Sequence, residues 1–158
     1  MIKNINQPFH TNTVVKILSR SQKFENYEGT AFYLSEGERI IGYTGYICFP
    51  THPPLLFVNS KLYGIYIDEE ERGKGLGRML LEELLTDLSV KEYEELRILG
   101  VIEKAKGFYD KVLTDMIRKN LVKDFNFKKE DLSQKIMFGK KEKDVVFFIF
   151  NYRVHLRR

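Results

Sequence analysis

Cysteine and histidine are scarce in this chain, with one cysteine and three histidines among 158 residues. The lone Cys48 excludes an internal disulfide, and its place in the apolar run Tyr46 to Phe49 marks it as a core residue, not a nucleophile. His10, His52 and His155 are scattered, so no metal-ligand spacing exists and no metal is expected. No apolar run approaches the roughly 20 residues that a membrane-spanning helix requires. The longest, Val145 to Phe150, is strand-like in length and residue type, and no membrane association is expected. Met1-Ile2-Lys3-Asn4 lacks the apolar core of a signal peptide, which together with the single thiol points to a reducing cytoplasm. Two phosphate-binding signatures are missing as well. The nucleotide-triphosphate loop G-x-x-x-x-G-K-[ST] is absent, and G-x-G-x-x-G fails because the sixth position from Gly73 is Arg78.

What remains is an ordinary globular composition. The hydrophobic fraction of 43% in 158 residues suits one compact domain spanning 1–158. The net charge of +4 hides an asymmetry: residues 118–158 hold 12 basic and 5 acidic residues, leaving 14 and 17 in the rest. The last quarter is basic, but its lysines and arginines are spread out, as expected of solvated strand edges. An acidic macromolecule such as RNA is the alternative partner for them.

Local patterns order the elements. Apolar residues at Val14, Val15, Ile17 and Leu18 after a Thr cap predict a short helix over Thr11 to Arg20. Ala31 to Leu34, the turn Ser35 to Glu38, and Arg39 to Phe49 predict a β-hairpin, ended by Pro50, Pro53 and Pro54. Leu55 to Val58 and Leu62 to Ile67 supply further strand, with Gly64 a bulge or close-approach point. A helix follows over Leu76 to Ser89, then a buried-type strand Leu96 to Ile102, parallel in sense to the strand before the glycines. A second helix is expected from Glu103 or Lys104 through Tyr109 to about Val122. The tail gives a hairpin from Lys135 to Phe138 and Val145 to Arg153.

The chemistry concentrates at Arg72-Gly73-Lys74-Gly75-Leu76-Gly77, between a strand and a leucine-rich helix. Glycines there let backbone N–H groups converge at the positive end of a helix dipole, a way to hold a phosphate. Arg-x-x-Gly-x-Gly resembles the coenzyme A pyrophosphate loop of the GCN5-related N-acetyltransferases. A second motif of that family, Asn-x-x-Ala-x-x-Leu-Tyr-x-Lys-x-Gly-Phe, is similar to the segment holding Ala105, Phe108, Tyr109 and Lys111 at matching offsets. The resemblance covers roughly residues 30–115. It departs where Ile102 stands at the motif's Asn, which commonly bonds the pantetheine arm, and where Leu113-Thr114 replace Gly-Phe. The second departure suggests that the helix runs on instead of turning into the next strand.

The resemblance implies a mixed α/β (α+β) fold: a mostly antiparallel central sheet with a splayed parallel strand pair and helices on both faces. It also implies acetyl-CoA as acyl-donor co-substrate. Backbone N–H groups of Gly73, Lys74, Gly75, Leu76, Gly77 and Arg78 would hold the pyrophosphate, with the Arg72, Lys74 and Arg78 side chains adding positive charge. Glu69 to Glu71 are expected to face solvent. Ile65, Tyr66 and Ile67 match the strand that pairs with the pantetheine arm and polarises the thioester carbonyl through one N–H. Tyr109 matches the general acid, since a phenol stays protonated at neutral pH and can protonate a departing thiolate. The general base stays open among Asp68, Glu103, His52 and a held water. The acceptor is a primary amine: a protein lysine or N-terminus, a small amine, or an aminoacyl-tRNA. Because a small cationic amine prefers an acidic pocket, the placement of Glu103 and the 92–95 cluster bears on that choice. A non-catalytic acyl-CoA sensor or interaction module of the same fold is the alternative from another class. The Val145 to Phe150 run suits either a buried strand or a sheet continued across a homodimer.

Overall fold

The computed structural model describes residues 5–7, 10–58 and 64–157. In chain order the elements are β1 (Ile5–Gln7), β2 (His10–Lys23), β3 (Glu28–Glu36), β4 (Arg39–Cys48), β5 (Leu55–Phe57) and β6 (Tyr66–Ile67). A one-turn helix (Glu69–Glu71) leads to α1 (Leu76–Val90), β7 (Glu95–Ile102), α2 (Glu103–Arg118), β8 (Val122–Phe138) and β9 (Lys141–Leu156). The sheet order is β1-β2-β3-β4-β5-β7-β9-β8, with β6 beside β4. Every pairing is antiparallel except β5 with β7, so the expected mostly antiparallel sheet with one parallel pair is present.

The segment expected as a first helix is a strand. Thr11, Thr13, Val14, Val15 and Ile17 are β-branched, which disfavours a helix and suits a pleated surface. Val15 and Ile17 are buried while Lys16 and Leu18 are exposed, a period of two, and β2 pairs with β3 from Val15↔Glu36 to Lys23↔Glu28. Three further boundaries differ from expectation. α2 ends at Arg118, because Asn120 takes φ 60 and Leu121 N–H bonds the Met116 carbonyl, closing the helix end. The C-terminal hairpin therefore starts at Val122 and is far longer than its expected tip. The strand expected over Leu62 to Ile67 is seen only at Tyr66–Ile67, and residues 59–63 lie outside the described residues.

Register fixes which face is dry. Ser21 pairs with Thr30, Thr30 with Tyr46, Leu56 with Ile98, Ile98 with Tyr152, and Tyr152 with Phe127. The Ile47↔Leu55 pair puts Leu56 beside Tyr46, so one side-chain row crosses β2, β3, β4, β5, β7, β9 and β8 on a single face. Both helices stand on that row. Tyr46 Oη donates to Asp87 of α1 at 2.6 Å, and Tyr152 Oη donates to Asp110 of α2 at 2.5 Å. The helices are also joined to one another by Arg78–Asp115 and Lys119–Glu82. Among the described residues no helix covers the other face. The resemblance implies helices on both faces; here residues 11–20, expected as a helix, extend the sheet instead.

Leu80, Leu81, Leu84, Leu85 and Leu88 of α1 are fully buried against this face. At about 2 kcal/mol per buried leucine they contribute on the order of 10 kcal/mol, an upper bound. The strand assignment of residues 10–23 makes adjacent positions unequal. Ile17→Asp should cost about 3 kcal/mol or more in a denaturant melt, whereas Leu18→Asp should stay within about 1 kcal/mol. A helix there would not separate the two in this way.

Candidate functional site

β4 carries two different partners along one edge. Ile47 pairs with Leu55 of β5, while Gly42 and Tyr43 pair with Ile67 and Tyr66 of β6. β5 continues the sheet into β7 through Leu56↔Ile98 and the Val58 N–H to Leu99 carbonyl bond at 3.1 Å. β6, among the described residues, pairs with β4 alone, so β6 and the Gly100–Ile102 end of β7 face each other across an open V. Antiparallel bonding alternates along a strand. The Asp68 N–H bonds the Ile41 carbonyl at 2.8 Å, so the backbone groups of Ile65 and Ile67 point away from β4, into the V. Arg72 Nε confirms this orientation by donating to the Ile67 carbonyl at 3.0 Å. Gly42 makes the narrow spacing of β4 and β6 possible, since a Cβ there would lie 2.7 Å from Ile67 Cδ1 and 2.8 Å from the Tyr66 carbonyl oxygen.

The loop after β6 bends twice through left-handed glycines, Gly73 at φ 80 and Gly75 at φ 78. Gly75 is the N-cap of α1, no side chain caps the helix, and its first turn holds no acidic residue. Among the described residues no side chain caps the first-turn N–H groups of α1, which suits them to an external acceptor at the positive end of the dipole. Three elements meet at this helix start. A Cβ on Gly77 would lie 3.5 Å from Phe108 Cζ of α2 and 3.7 Å from Ile65 Cγ2, just before β6. The residues read from sequence as a phosphate loop, a strand edge and a second motif are therefore neighbours.

The charges around the loop differ from expectation. Glu69 and Glu70 are exposed, but Glu71 is buried at 6% exposure and accepts from Arg39 at 2.9 Å and from Lys74 at 2.8 Å. Burying a carboxylate is costly unless it is paired, and these two cations pair it while tying the loop to the start of β4. Lys74 thus spends charge on the protein. Arg78 does likewise, forming an ion pair with Asp115 of α2, whose carboxyl is held below the usual carboxylate range chiefly by the Arg78 hydrogen bond. Neither side chain is an unspoken-for cation awaiting an anion.

Tyr109 sits on the inner face of α2 at 4% exposure, edge-on to Phe108 at 5.0 Å and tilted against Tyr152 at 6.2 Å. Burial pushes its phenol well above the ordinary tyrosine range, which keeps the hydroxyl protonated. Ile102, at the position of the family's Asn, immediately precedes α2 with an exposed side chain and extended backbone. α2 runs through Leu113 and Thr114, as the departure from Gly-Phe implied.

Among the candidate bases, Asp68 follows β6 directly and Glu103 opens α2, both at the V. His52 lies beyond the opposite end of β4, past Cys48, which is five residues and roughly 17 Å from Tyr43 along the strand. The 92–95 acidic cluster lies at the start of β7, far from the Ile102 end, with Glu95 held by Arg97 and Arg153. Cys48 is half-buried, and desolvation raises its thiol, so it is not a thiolate at neutral pH. Among the described residues no group of three His, Cys, Asp or Glu converges as metal ligands. Phe108, Gly42 and Glu71 were missed as site residues. Only Phe108 carried a sequence signal, its offset from Tyr109.

The meeting of three elements at Gly77 is testable. Gly77→Ala should fold with unchanged or slightly greater stability, because a Cβ finds ordinary contact distances and alanine favours a helix. Gly77→Phe should lower the melting midpoint and expose Phe108, read by thermal unfolding and by the ring's proton shifts.

Residues 28–112, more than half the chain, match the profile of the acetyltransferase (GNAT) domain. A GNAT family acetyltransferase from Elizabethkingia anophelis, solved with acetyl-CoA bound, is similar over 89% of this chain and 98% of its own, at 14% identity and a TM-score of 0.52. The structure of yncA from Salmonella typhimurium, a putative acetyltransferase with its cofactor acetyl-CoA, is similar over 82% of this chain and 66% of its own, at 15% identity and a TM-score of 0.51. No curated protein matches the chain. The profile match, with the splayed strand and glycine loop that give it structural sense, establishes that the chain belongs to the GNAT acetyltransferase family.

Proposed function

We propose that this protein transfers an acetyl group from acetyl-CoA to a primary amine by direct attack. The observation that carries the reading is the uncapped start of α1, with left-handed Gly73 and Gly75, opening beside the free edge of β6. First-turn N–H groups with no side-chain cap fit a pyrophosphate, and the outward N–H groups of Ile65 and Ile67 fit an added strand such as a pantetheine amide. The donor supplies an activated thioester carbonyl. The remaining requirements fall to the chain: an N–H of residues 65–67 polarises that carbonyl, and the V aligns it with the amine. The amine nitrogen bonds the acetyl carbon, the carbon–sulfur bond breaks, and the amine's surplus proton passes to a base or to solvent. Tyr109 gives the proton that the departing sulfur takes and recovers one from solvent. Asp68 and Glu103 are the side chains placed to receive the amine proton.

The near-complete burial of Tyr109 favours one other reading, in which it only packs and the protein is an acyl-CoA-binding module. Titration calorimetry with acetyl-CoA separates these readings from a protein that binds no coenzyme A. Heat at micromolar concentration is expected, and it should vanish in Gly75→Glu, where a side chain at φ 78 is strained and a carboxylate meets the phosphates. Absence of heat in the parent protein would remove the acetyl-transfer reading.

With an amine substrate, Tyr109→Phe should lower kcat by about a hundredfold while the KM for acetyl-CoA stays within about threefold. Because burial raises the Tyr109 phenol, its protonated form persists as pH rises, so no loss of rate from its ionisation is expected below about pH 10. Unchanged turnover in Tyr109→Phe would assign the tyrosine to packing.

A further inference from the structure

The sheet face without helices holds a trench that runs toward the open V. Side chains on this face lie in three rows across the strands: Leu18, Tyr33, Tyr43 and Tyr66; then Arg20, Ala31 and Gly45; then Gln22, Gly29, Ile47 and Leu55. The middle row is low because Ala31 and Gly45 have almost no side chain. Gly45 is fixed as glycine, since a Cβ there would lie 2.6 Å from the Thr30 carbonyl oxygen. Tyr33 and Tyr43 wall one side and Ile47, Tyr27 and Phe24 the other, enclosing about 280 Å³. That is the low end of ligand-pocket sizes, room for one aromatic ring with short substituents.

The two ends of the trench differ. At the β2 end stands Arg20, and among the described residues that line the cavity none is acidic. At the other end Gly45 lies on β4 between the stretch that pairs with β5 and the stretch that pairs with β6, where the sheet splits. Tyr43 stacks on Tyr66 of β6 at 5.3 Å, so the trench wall continues into the strand proposed to hold the thioester. Three strand spacings of about 4.8 Å put Arg20 roughly 14 Å from that strand. After the reach of the arginine side chain, this leaves about one ring's length.

We infer that this trench binds the acceptor, and that the acceptor is a small amine on a flat aromatic body with an anionic group at the end opposite the nitrogen. The inference rests on the acetyl-transfer reading and narrows it. Tyrosine rings receive the flat body, Arg20 receives the anion, and the amine is directed to the V. Among the described residues that line the trench, polyamines and other polycations find no carboxylate, and the acidic 92–95 cluster stands at the far end of β7.

The test compares three probes with and without acetyl-CoA: para-(aminomethyl)benzoate, benzylamine, which has the same ring and amine without the carboxylate, and spermidine. In acetylation assays, kcat/KM should be highest for para-(aminomethyl)benzoate. Arg20→Glu, at an exposed strand position, should raise the KM for that probe by about tenfold or more and leave benzylamine within about threefold. Spermidine turned over as well as para-(aminomethyl)benzoate, or an unchanged preference in Arg20→Glu, would overturn the inference and leave acetyl transfer standing. If acetyl-CoA gives no heat and no amine is acetylated, acetyl transfer fails. Calorimetry with para-(aminomethyl)benzoate alone then still decides the trench: heat lost in Arg20→Glu supports it, and no heat overturns it.

Discussion

A single row of side chains, from Ser21 through Tyr46 and Tyr152 to Phe127, crosses seven strands on one face, and the rest of the molecule is arranged around it. Both helices rest on this face, each anchored by a tyrosine hydroxyl donating to a carboxylate, Tyr46 to Asp87 and Tyr152 to Asp110. A hydrogen bond to a charged partner contributes about 1.5 to 3 kcal/mol, so the two bonds set helix position as well as adding stability. Because both helices share the face, α1 and α2 touch, and their starts converge with β6 at Gly77. The site is a by-product of having one dry face.

The same constraint shapes the opposite side. A sheet side on which, among the described residues, no helix packs must be tolerable to water, and here Arg20 and Gln22 stand beside the half-buried rings of Tyr33 and Tyr43. Glycine and alanine lower the middle row. The result is a surface both soluble and indented, next to the place where β4 changes partners. β4 can change partners only because Gly42 allows β6 to approach so closely.

How much of this was legible in the residues depended on range. The glycine loop, α1, β7 and the start of α2 were readable because their signals are local: leucine spacing, a β-branched run, glycines in a strand-to-helix turn. Thr11 to Arg20 read as a helix because Val14, Val15, Ile17 and Leu18 fit a helical stripe as well as a strand, and only pairing with β3 decides between them. The long C-terminal hairpin was recognised at its turn but not at its start, since Asn120 ends α2 with a single left-handed residue. Glu71 looked like part of an exposed acidic turn. Its burial depends on Arg39, 32 positions away, which no local pattern reveals.

The pairing of Lys74 with Glu71 and of Arg78 with Asp115 has a consequence for the medium in which the protein works. Free lysines and arginines attract anions over a distance comparable to the Debye length, about 8 Å at physiological ionic strength, and added salt weakens that attraction. Backbone N–H groups at a helix start act at contact. Lys74 and Arg78 are already paired, whereas Arg72 donates its Nε to the uncharged Ile67 carbonyl. Among the described loop residues that one guanidinium would therefore carry the salt-sensitive attraction for the proposed phosphate, and the N–H groups of α1 the part that acts at contact.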